Sequence, residues 1–141
     1  MNTNTSKQTQ IAQTFFEAMQ SNDYNQWSAL LSDDYVGHYP GLAGANKAMA
    51  QTFNQVFSTA FPDLKFDIKN TFEAGNTVIF EWSGDGTHTG PLATPTGQVI
   101  PPTGKPGSVS GVLISEVKEG KITSERTFWD QLGLMKQLGL A

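Results

Sequence analysis

The spacing of apolar residues separates a helical first half of the chain from a second half built of strands. Up to residue 60, apolar side chains recur every three or four positions, which is typical of helices with one buried face. The pattern predicts helices over residues 7–21 and 46–60, with a short helix between them that begins after Asp23. Ser6 and Asp23 are predicted N-caps, since both side chains can accept a hydrogen bond from a backbone N–H of the first turn.

Beyond residue 63 the period falls to two, as expected for strands with one buried face. The first predicted strand has these inner positions: Leu64, Phe66, Ile68, Asn70 and Phe72. A hairpin turn at residues 74–76 leads to a return strand. The inner positions of the return strand are Val78, Phe80, Trp82 and, if no bulge intervenes, His88. Two further strands are predicted at residues 108–117 and 122–129, and a closing helix at residues 131–138.

Residues 89–107 contain five of the seven prolines and four glycines. This composition predicts a long loop or small hairpin, which is a surface connection, a lid over a cavity or an arm onto a partner subunit. Helices followed by a meander of antiparallel strands predict an α+β fold in one domain over residues 1–141. Helices packed on one face of a strongly curved antiparallel sheet would form a cone, and its interior is the expected ligand cavity.

Composition and charge exclude several classes of site. The chain contains no cysteine, which excludes disulfides, zinc–thiolate sites and cysteine nucleophiles. The formal net charge is −4 and the nine Lys and Arg residues are scattered, so we expect no nucleic-acid partner. The polar N-terminal stretch and the lack of a long apolar segment predict no membrane association and a cytoplasmic location. Aromatic residues make up 11% and charged residues only 16%, which favours a large apolar interior or cavity.

Five short motifs stand in an order that is familiar from one protein family. They are FPD (61–63), GTHTG (86–90), PPTGK (101–105), EGKI (119–122) and FWDQLGLMKQLG (128–139). In this ordered set the chain resembles SnoaL-like polyketide cyclases and their ester-cyclase relatives. The resemblance implies a cone-shaped nuclear transport factor two-like (cystatin-like) fold and a homodimer formed through the open face of the sheet. It also implies chemistry without a metal or an organic cofactor.

The resemblance further implies two catalytic residues. In the characterised cyclases an aspartate near the end of the last strand is the general acid and base of an aldol ring closure, and Asp130 matches it. The histidine of the family's H-x-G element matches His88, which would orient Asp130 or donate a hydrogen bond to an enolate oxygen. The sequence departs from the family at Gly111 and Leu113, where the cyclases carry a Gln-x-His pair that faces the substrate.

Asp130 has two interpretations on the sequence alone. As an aspartate at the start of the closing helix, it is a predicted N-cap. If its side chain points instead into an aromatic cavity, loss of hydration would raise its pKa toward the range for proton transfer. The two roles do not exclude each other.

The predicted substrate-binding residues are mostly aromatic. They are His38, Trp82, Trp129, Phe15, Phe16, Tyr35, Phe53 and Phe57. Trp82 and Trp129 are the first choices because they lie near His88 and Asp130 along their own strands. His38 precedes a Pro-Gly turn and is either a surface residue or a polar contact at the mouth of the cavity.

Epoxide hydrolysis is a less favoured reaction for this fold, because it needs an arginine held between two acids. Arg126 shares the face of Asp130 in a regular strand, roughly 13 Å away. Strand alternation turns Glu81 and Glu125 away from that face, so the second acid is missing.

The sequence therefore predicts a cofactor-free enzyme of the cyclase or isomerase type that acts on a small, apolar, polyketide-like or cyclic carbonyl compound. Asp130 and His88 would carry the proton transfer. The alternative is a non-catalytic ligand-binding module on the same fold, which the apolar Gly111 and Leu113 favour. A third interpretation is a structural dimer unit whose sheet is mainly an interface.

Overall fold

The structure, a computed structural model, describes residues 6–94 and 96–141. Its helices are α1 (Lys7–Gln20), α2 (Tyr24–Ala29), α3 (Lys47–Ala60) and α4 (Gln131–Gln137). Its strands are β1 (Leu31–Tyr39), β2 (Leu42–Ala45), β3 (Lys65–Ala74), β4 (Thr77–Thr87), β5 (Leu92–Ala93), β6 (Val99–Ile100), β7 (Pro106–Lys118) and β8 (Lys121–Trp129). The longer helices and strands begin and end close to the residues that the sequence pattern predicts.

Polar side chains fix where the first three helices begin. The caps are Ser6 (accepting from the N–H of Thr9, 3.1 Å), Asp23 (from Gln26, 3.2 Å) and Asn46 (from Met49, 2.9 Å). Each bond satisfies a first-turn N–H that has no partner inside its helix. The predicted capping by Ser6 and Asp23 is confirmed.

One large sheet carries the fold, with its strands in the order β2-β1-β8-β7-β4-β3. Neighbouring strands are antiparallel except β1 and β8, which run parallel. This parallel pair departs from the predicted antiparallel sheet, and β1 can run parallel to β8 because no hairpin joins the two strands. The α+β class, with N-terminal helices packed on a curved sheet, is confirmed.

A bulge in β3 reverses the direction of its last side chains. Lys69 is unpaired between Ile68 and Asn70, so the alternation shifts by one residue. Phe72 is therefore 52% exposed instead of buried. Asn70 donates a hydrogen bond of 2.9 Å to the exposed Glu81. The predicted inward positions of Asn70 and Phe72 are wrong for this reason.

A second bulge, in β8, decides which acid faces the helices. Ile122 pairs with Val117 and Ser124 pairs with Glu116, which leaves Thr123 as an extra residue. Beyond the bulge, Glu125 lies on the same buried face as Ile122, with only 3% of its surface exposed. Regular alternation from Ile122 would have turned Glu125 outward.

The Pro- and Gly-rich segment folds onto the helices. Within it, β5 and β6 form a small hairpin, which is one of the two predicted alternatives, a long loop or a small hairpin. Gly90 passes so close to α3 that a Cβ atom there would lie 2.0 Å from the carbonyl oxygen of Thr59. Leu92 packs with Leu134 and Leu138 in a small apolar cluster. No helix among the described residues has both the length and the apolar character needed to cross a membrane.

Candidate functional site

A cavity of about 160 Å³ lies between α1, α3 and the inner face of β4, β7 and β8. Its walls are mainly aromatic and include Phe15, Phe16, Tyr24, Trp27, Tyr39, Phe53, Phe57, Phe61, Phe66, Trp82 and Trp129. The rings contact one another, with the Phe53 centroid 4.6 Å from that of Tyr39 and 5.8 Å from that of Trp129. The exposed lining residues Gln20, Asn22 and Pro62 mark the mouth.

Strand register places an acid and two indoles at different levels along this cavity. Along β8 the inward residues pair across to β7 as Glu125–Ser115, Thr127–Leu113 and Trp129–Gly111. Glu125 and Trp129 are four residues apart, which corresponds to roughly 13 Å along a strand. Thr127 lies midway between Glu125 and Trp129 and contributes a hydroxyl to that wall.

Glu125 is held by two tyrosines from the neighbouring strand. The hydroxyls of Tyr35 and Tyr39 both donate to Oε1 of Glu125, and the two hydroxyl oxygens are 2.7 Å apart. Gly37, which pairs directly with Glu125, stands between them. A Cβ atom at Gly37 would lie 2.5 Å from the Tyr35 hydroxyl and 2.9 Å from the Tyr39 ring. Glycine at this position therefore lets both rings converge over the acid.

Burial controls the protonation of this cluster. Loss of hydration raises the pKa of the Glu125 carboxyl, and the hydrogen bonds from the two tyrosines lower it by less. Burial first, and the adjacent Glu125 charge second, raise the pKa of Tyr35 and Tyr39, so both remain hydroxyls at neutral pH. Burial therefore disfavours the charged carboxylate of Glu125 relative to that of an exposed glutamate.

The other carboxyl oxygen, Oε2, is the one available to a ligand. Both tyrosines bond to Oε1, and no hydrogen bond to Oε2 is found within the described ranges. Glu125 itself lines the cavity. Ser115 faces it across the strands, and the buried Ser115 Oγ has no hydrogen-bond partner among the described residues. A proton can therefore pass between Oε2 and a molecule in the cavity.

Tyr39→Phe is predicted to move the pH dependence of any reaction that uses Glu125 as a base to higher pH. The hydrogen bond from Tyr39 favours the charged carboxylate and lowers the pKa of Glu125, so its removal raises that pKa. The acidic limb of the kcat/KM profile should shift upward in Tyr39→Phe and stay in place in Tyr24→Phe, a cavity tyrosine without this contact. A downward shift, or none, would contradict the assignment.

Asp130 lies outside the cavity. Its side chain is exposed, and Oδ1 accepts a hydrogen bond of 2.8 Å from the N–H of Gly133 at the start of α4. The predicted N-cap is confirmed. The predicted placement in an apolar hollow is wrong, because the bulge at Thr123 turns Trp129, and not Asp130, inward. Its role in catalysis stays a prediction that this placement does not favour.

His88 is fully buried but does not line the cavity. Its Nδ1 accepts a hydrogen bond of 3.2 Å from the N–H of Thr103 and lies 3.0 Å from the Thr103 hydroxyl. Its ring packs beside Phe61, at a centroid distance of 5.4 Å. No hydrogen bond between His88 and Asp130 is found in the described part of the chain. The histidine ties the PPTGK loop to the end of β4.

Six of the eight predicted substrate-binding residues line the cavity, and Tyr35 and His38 do not. The six are Phe15, Phe16, Phe53, Phe57, Trp82 and Trp129. Tyr35 sits behind the wall and reaches the site through Glu125. His38 is exposed on the outer face, where its Nδ1 accepts a hydrogen bond of 3.2 Å from the N–H of Gly44.

Sequence reasoning missed Glu125, Tyr39 and Thr127. The alternation of β8 contained a signal for Glu125 and Thr127, since counting back from Trp129 in steps of two gives both residues. Trp129 and Asp130 are adjacent in a strand and cannot both point inward. Taking the tryptophan as the reference would have selected the glutamate.

The comparisons with known proteins agree with this geometry. The model of the SnoaL-like polyketide cyclase family matches residues 9–138. The chain belongs to this family. No protein of curated function matches the sequence at a significant level.

Solved structures extend the SnoaL-like assignment to the fold. A proposed polyketide cyclase from Acidithiobacillus ferrooxidans is 26% identical, with a TM-score of 0.78 and coverage of 100% of this chain and 99% of that one. IdmH of Streptomyces antibioticus, also a proposed polyketide cyclase, is 22% identical, with a TM-score of 0.78 and coverage of 95% and 99%. A Catenulispora acidiphila protein with a ketosteroid isomerase-like fold is 19% identical, with a TM-score of 0.71 and coverage of 93% of each chain. The nuclear transport factor two-like fold is thus confirmed.

Proposed function

We propose that this SnoaL-like protein binds a small, neutral, cyclic carbonyl compound and transfers a proton on it without a cofactor, in a reaction of the cyclase or isomerase type. One observation carries the proposal: a fully buried carboxyl, Glu125, opens into a cavity of aromatic rings. Burial raises the pKa of the Glu125 carboxyl, and the carboxylate of an acid with a raised pKa is a stronger base than that of an exposed glutamate.

The proposed reaction needs only this acid. In its charged form Glu125 removes a proton from the carbon next to the ligand carbonyl, and the C–H electron pair becomes the enolate. The same proton then returns to another carbon of the conjugated system, which is isomerisation. Alternatively it goes to the oxygen formed when the enolate carbon attacks a second carbonyl, which closes a ring. By donating to Oε1, Tyr35 and Tyr39 stabilise the carboxylate before it takes the proton and after it has given the proton back.

The aromatic wall supplies binding and excludes water. Six of these rings were predicted from the sequence. Phe57 and Trp129, for example, make an edge-to-face contact with ring centroids 5.6 Å apart. Flat ligands pack well against such rings. Among the described residues that line the cavity, Glu125 is the one carboxyl or basic side chain, which favours a neutral ligand.

Proton exchange on a test ketone examines the proposal without knowledge of the natural substrate. Tetralone in heavy water exchanges its α-protons slowly, and nuclear magnetic resonance follows the loss of signal. We expect the wild-type protein to accelerate this exchange in a saturable manner. Ketones that bind, shown by perturbed protein resonances, but exchange no faster than in buffer would overturn the catalytic proposal.

The second candidate function is ligand binding without chemistry. Gly111 and Leu113 favour it, because they present no polar group where the sequence resemblance expects a Gln-x-His pair. Binding without exchange in the same experiment would establish it. A cytoplasmic location, like the absence of a cofactor, stays a prediction.

The outer face of the sheet supports the predicted homodimer. Phe128 is 56% exposed and Phe72 52%, and the row formed by Phe72, Ile79 and Ile114 continues the apolar surface. Exposed apolar patches of this kind mark interfaces. Sedimentation equilibrium should give twice the chain mass, and Phe128→Glu should weaken the dimer at least about tenfold. Val99→Glu, on the β5–β6 hairpin, is the matched control. A wild-type monomer at high concentration would exclude the dimer.

A further inference from the structure

Trp82 stands in an unusual relation to the strand beside it. Strand register puts Trp82 on β4, Gly111 on β7 and Trp129 on β8 in one row across the inner face. An ideal Cβ atom on Gly111 would lie 2.4 Å from Cζ2 and 2.8 Å from Cε2 of the Trp82 indole. The six-membered ring of Trp82 therefore occupies the space above Gly111, which any larger residue would fill.

The two indoles meet over this glycine and narrow the cavity between the part beside Glu125 and the part lined by Gly84, Val109 and Leu134. The ring centroids of Trp82 and Trp129 are 6.0 Å apart at an interplanar angle of 68°. Phe66 holds the other side of Trp82, at 5.4 Å and 82°. Trp82 is only 5% exposed, so these contacts fix its position. The whole cavity, about 160 Å³, is similar in volume to an engineered cavity of about 150 Å³ that takes up benzene.

We propose that Trp82 is the specificity-determining residue of the site, and that it restricts the ligand to neutral ketones of one or two rings. The inference takes its ligand class, neutral ketones, from the proposed function. It does not depend on the proposed proton transfer. A ligand that contacts Glu125 lies on the near side of the indole pair, in a cavity whose whole volume is only about 160 Å³. Larger fused systems would need the room that the indole occupies above Gly111. Without such a barrier a larger apolar ligand would bind more tightly, because it buries more surface.

Equilibrium binding of three ketones tests the inference. Cyclohexenone, tetralone and androstenedione have one, two and four fused rings, and calorimetry or protein resonances report their binding. For the wild type we expect androstenedione to bind at least about tenfold more weakly than tetralone. Trp82→Ala should remove or reverse this preference, and Trp82→Phe, which retains more of the packing, should reduce it. Val112→Ala, on the outer face of β7, should leave the preference unchanged.

Equal or tighter wild-type binding of androstenedione would overturn the inference, as would an unchanged preference in folded Trp82→Phe. These outcomes differ from failure of the proposed function. Size selection in a protein that exchanges no protons would remove the catalysis and keep the role of Trp82. Proton exchange with no size selection would keep the catalysis and remove the role of Trp82.

Discussion

Glu125→Gln should abolish proton exchange on a bound ketone while leaving the ketone bound. The amide has nearly the shape of the acid, and its oxygen can still accept the hydroxyls of Tyr35 and Tyr39. It cannot take up a proton from carbon. A positioned general acid–base group contributes about 10²–10⁴-fold to a rate, so we expect a loss of that size in kcat.

Asp130→Asn is the matched control for this variant. It changes one carboxyl to an amide in the same way, and asparagine is as good an N-cap as aspartate for α4. We therefore expect an unchanged rate and unchanged stability. Loss of exchange in Asp130→Asn but not in Glu125→Gln would restore the mechanism that the family resemblance predicts for Asp130.

Trp27→Ala should cost about 3–5 kcal/mol of the free energy of unfolding, the usual range for removing a buried tryptophan. Trp27 is 1% exposed and stacks on Phe15 at 5.7 Å. It also contacts Tyr24 at 5.8 Å and Tyr35 at 6.5 Å, both edge to face. A short helix, α2, thereby supports the tyrosine that holds Glu125.

Urea unfolding measures this loss. Trp27→Phe retains a ring and should lose less than half as much. A loss below about 1.5 kcal/mol in Trp27→Ala would show that the site collapses to fill the space. Trp27 would then not be the support that the packing around Tyr35 indicates.

Most of the fold could be predicted because local signals and periodicity agree over long stretches. Ser6 and Asp23 cap helices by a chemistry that does not depend on the rest of the molecule. The alternation of Val78, Phe80 and Trp82 holds because β4 is paired without interruption to β7. The parallel pairing of β1 with β8 could not be predicted, since it brings together residues about ninety positions apart and no turn encodes it.

The site was harder to predict because one extra residue, Thr123, reverses the face of every side chain after it. A bulge of this kind leaves no composition signal in the sequence. The convergence of Tyr35 and Tyr39 on Glu125 depends on that reversal, and also on the space left by Gly37. Asp130 matches the family motif, but the alternation of side chains along β8 turns it away from the cavity, where it caps α4.

The pKa of the Glu125 carboxyl in the folded protein decides whether this acid is held dry in the cavity. Carbon-13 resonances of the glutamate side chains, with Glu125 assigned by its loss in Glu125→Gln, would follow its titration. We expect a midpoint above the ordinary value of about 4.3, with a further rise in Tyr39→Phe. A midpoint at or below that ordinary value would mean that the acid is not held dry in the cavity, and the proposed proton transfer by Glu125 would be contradicted.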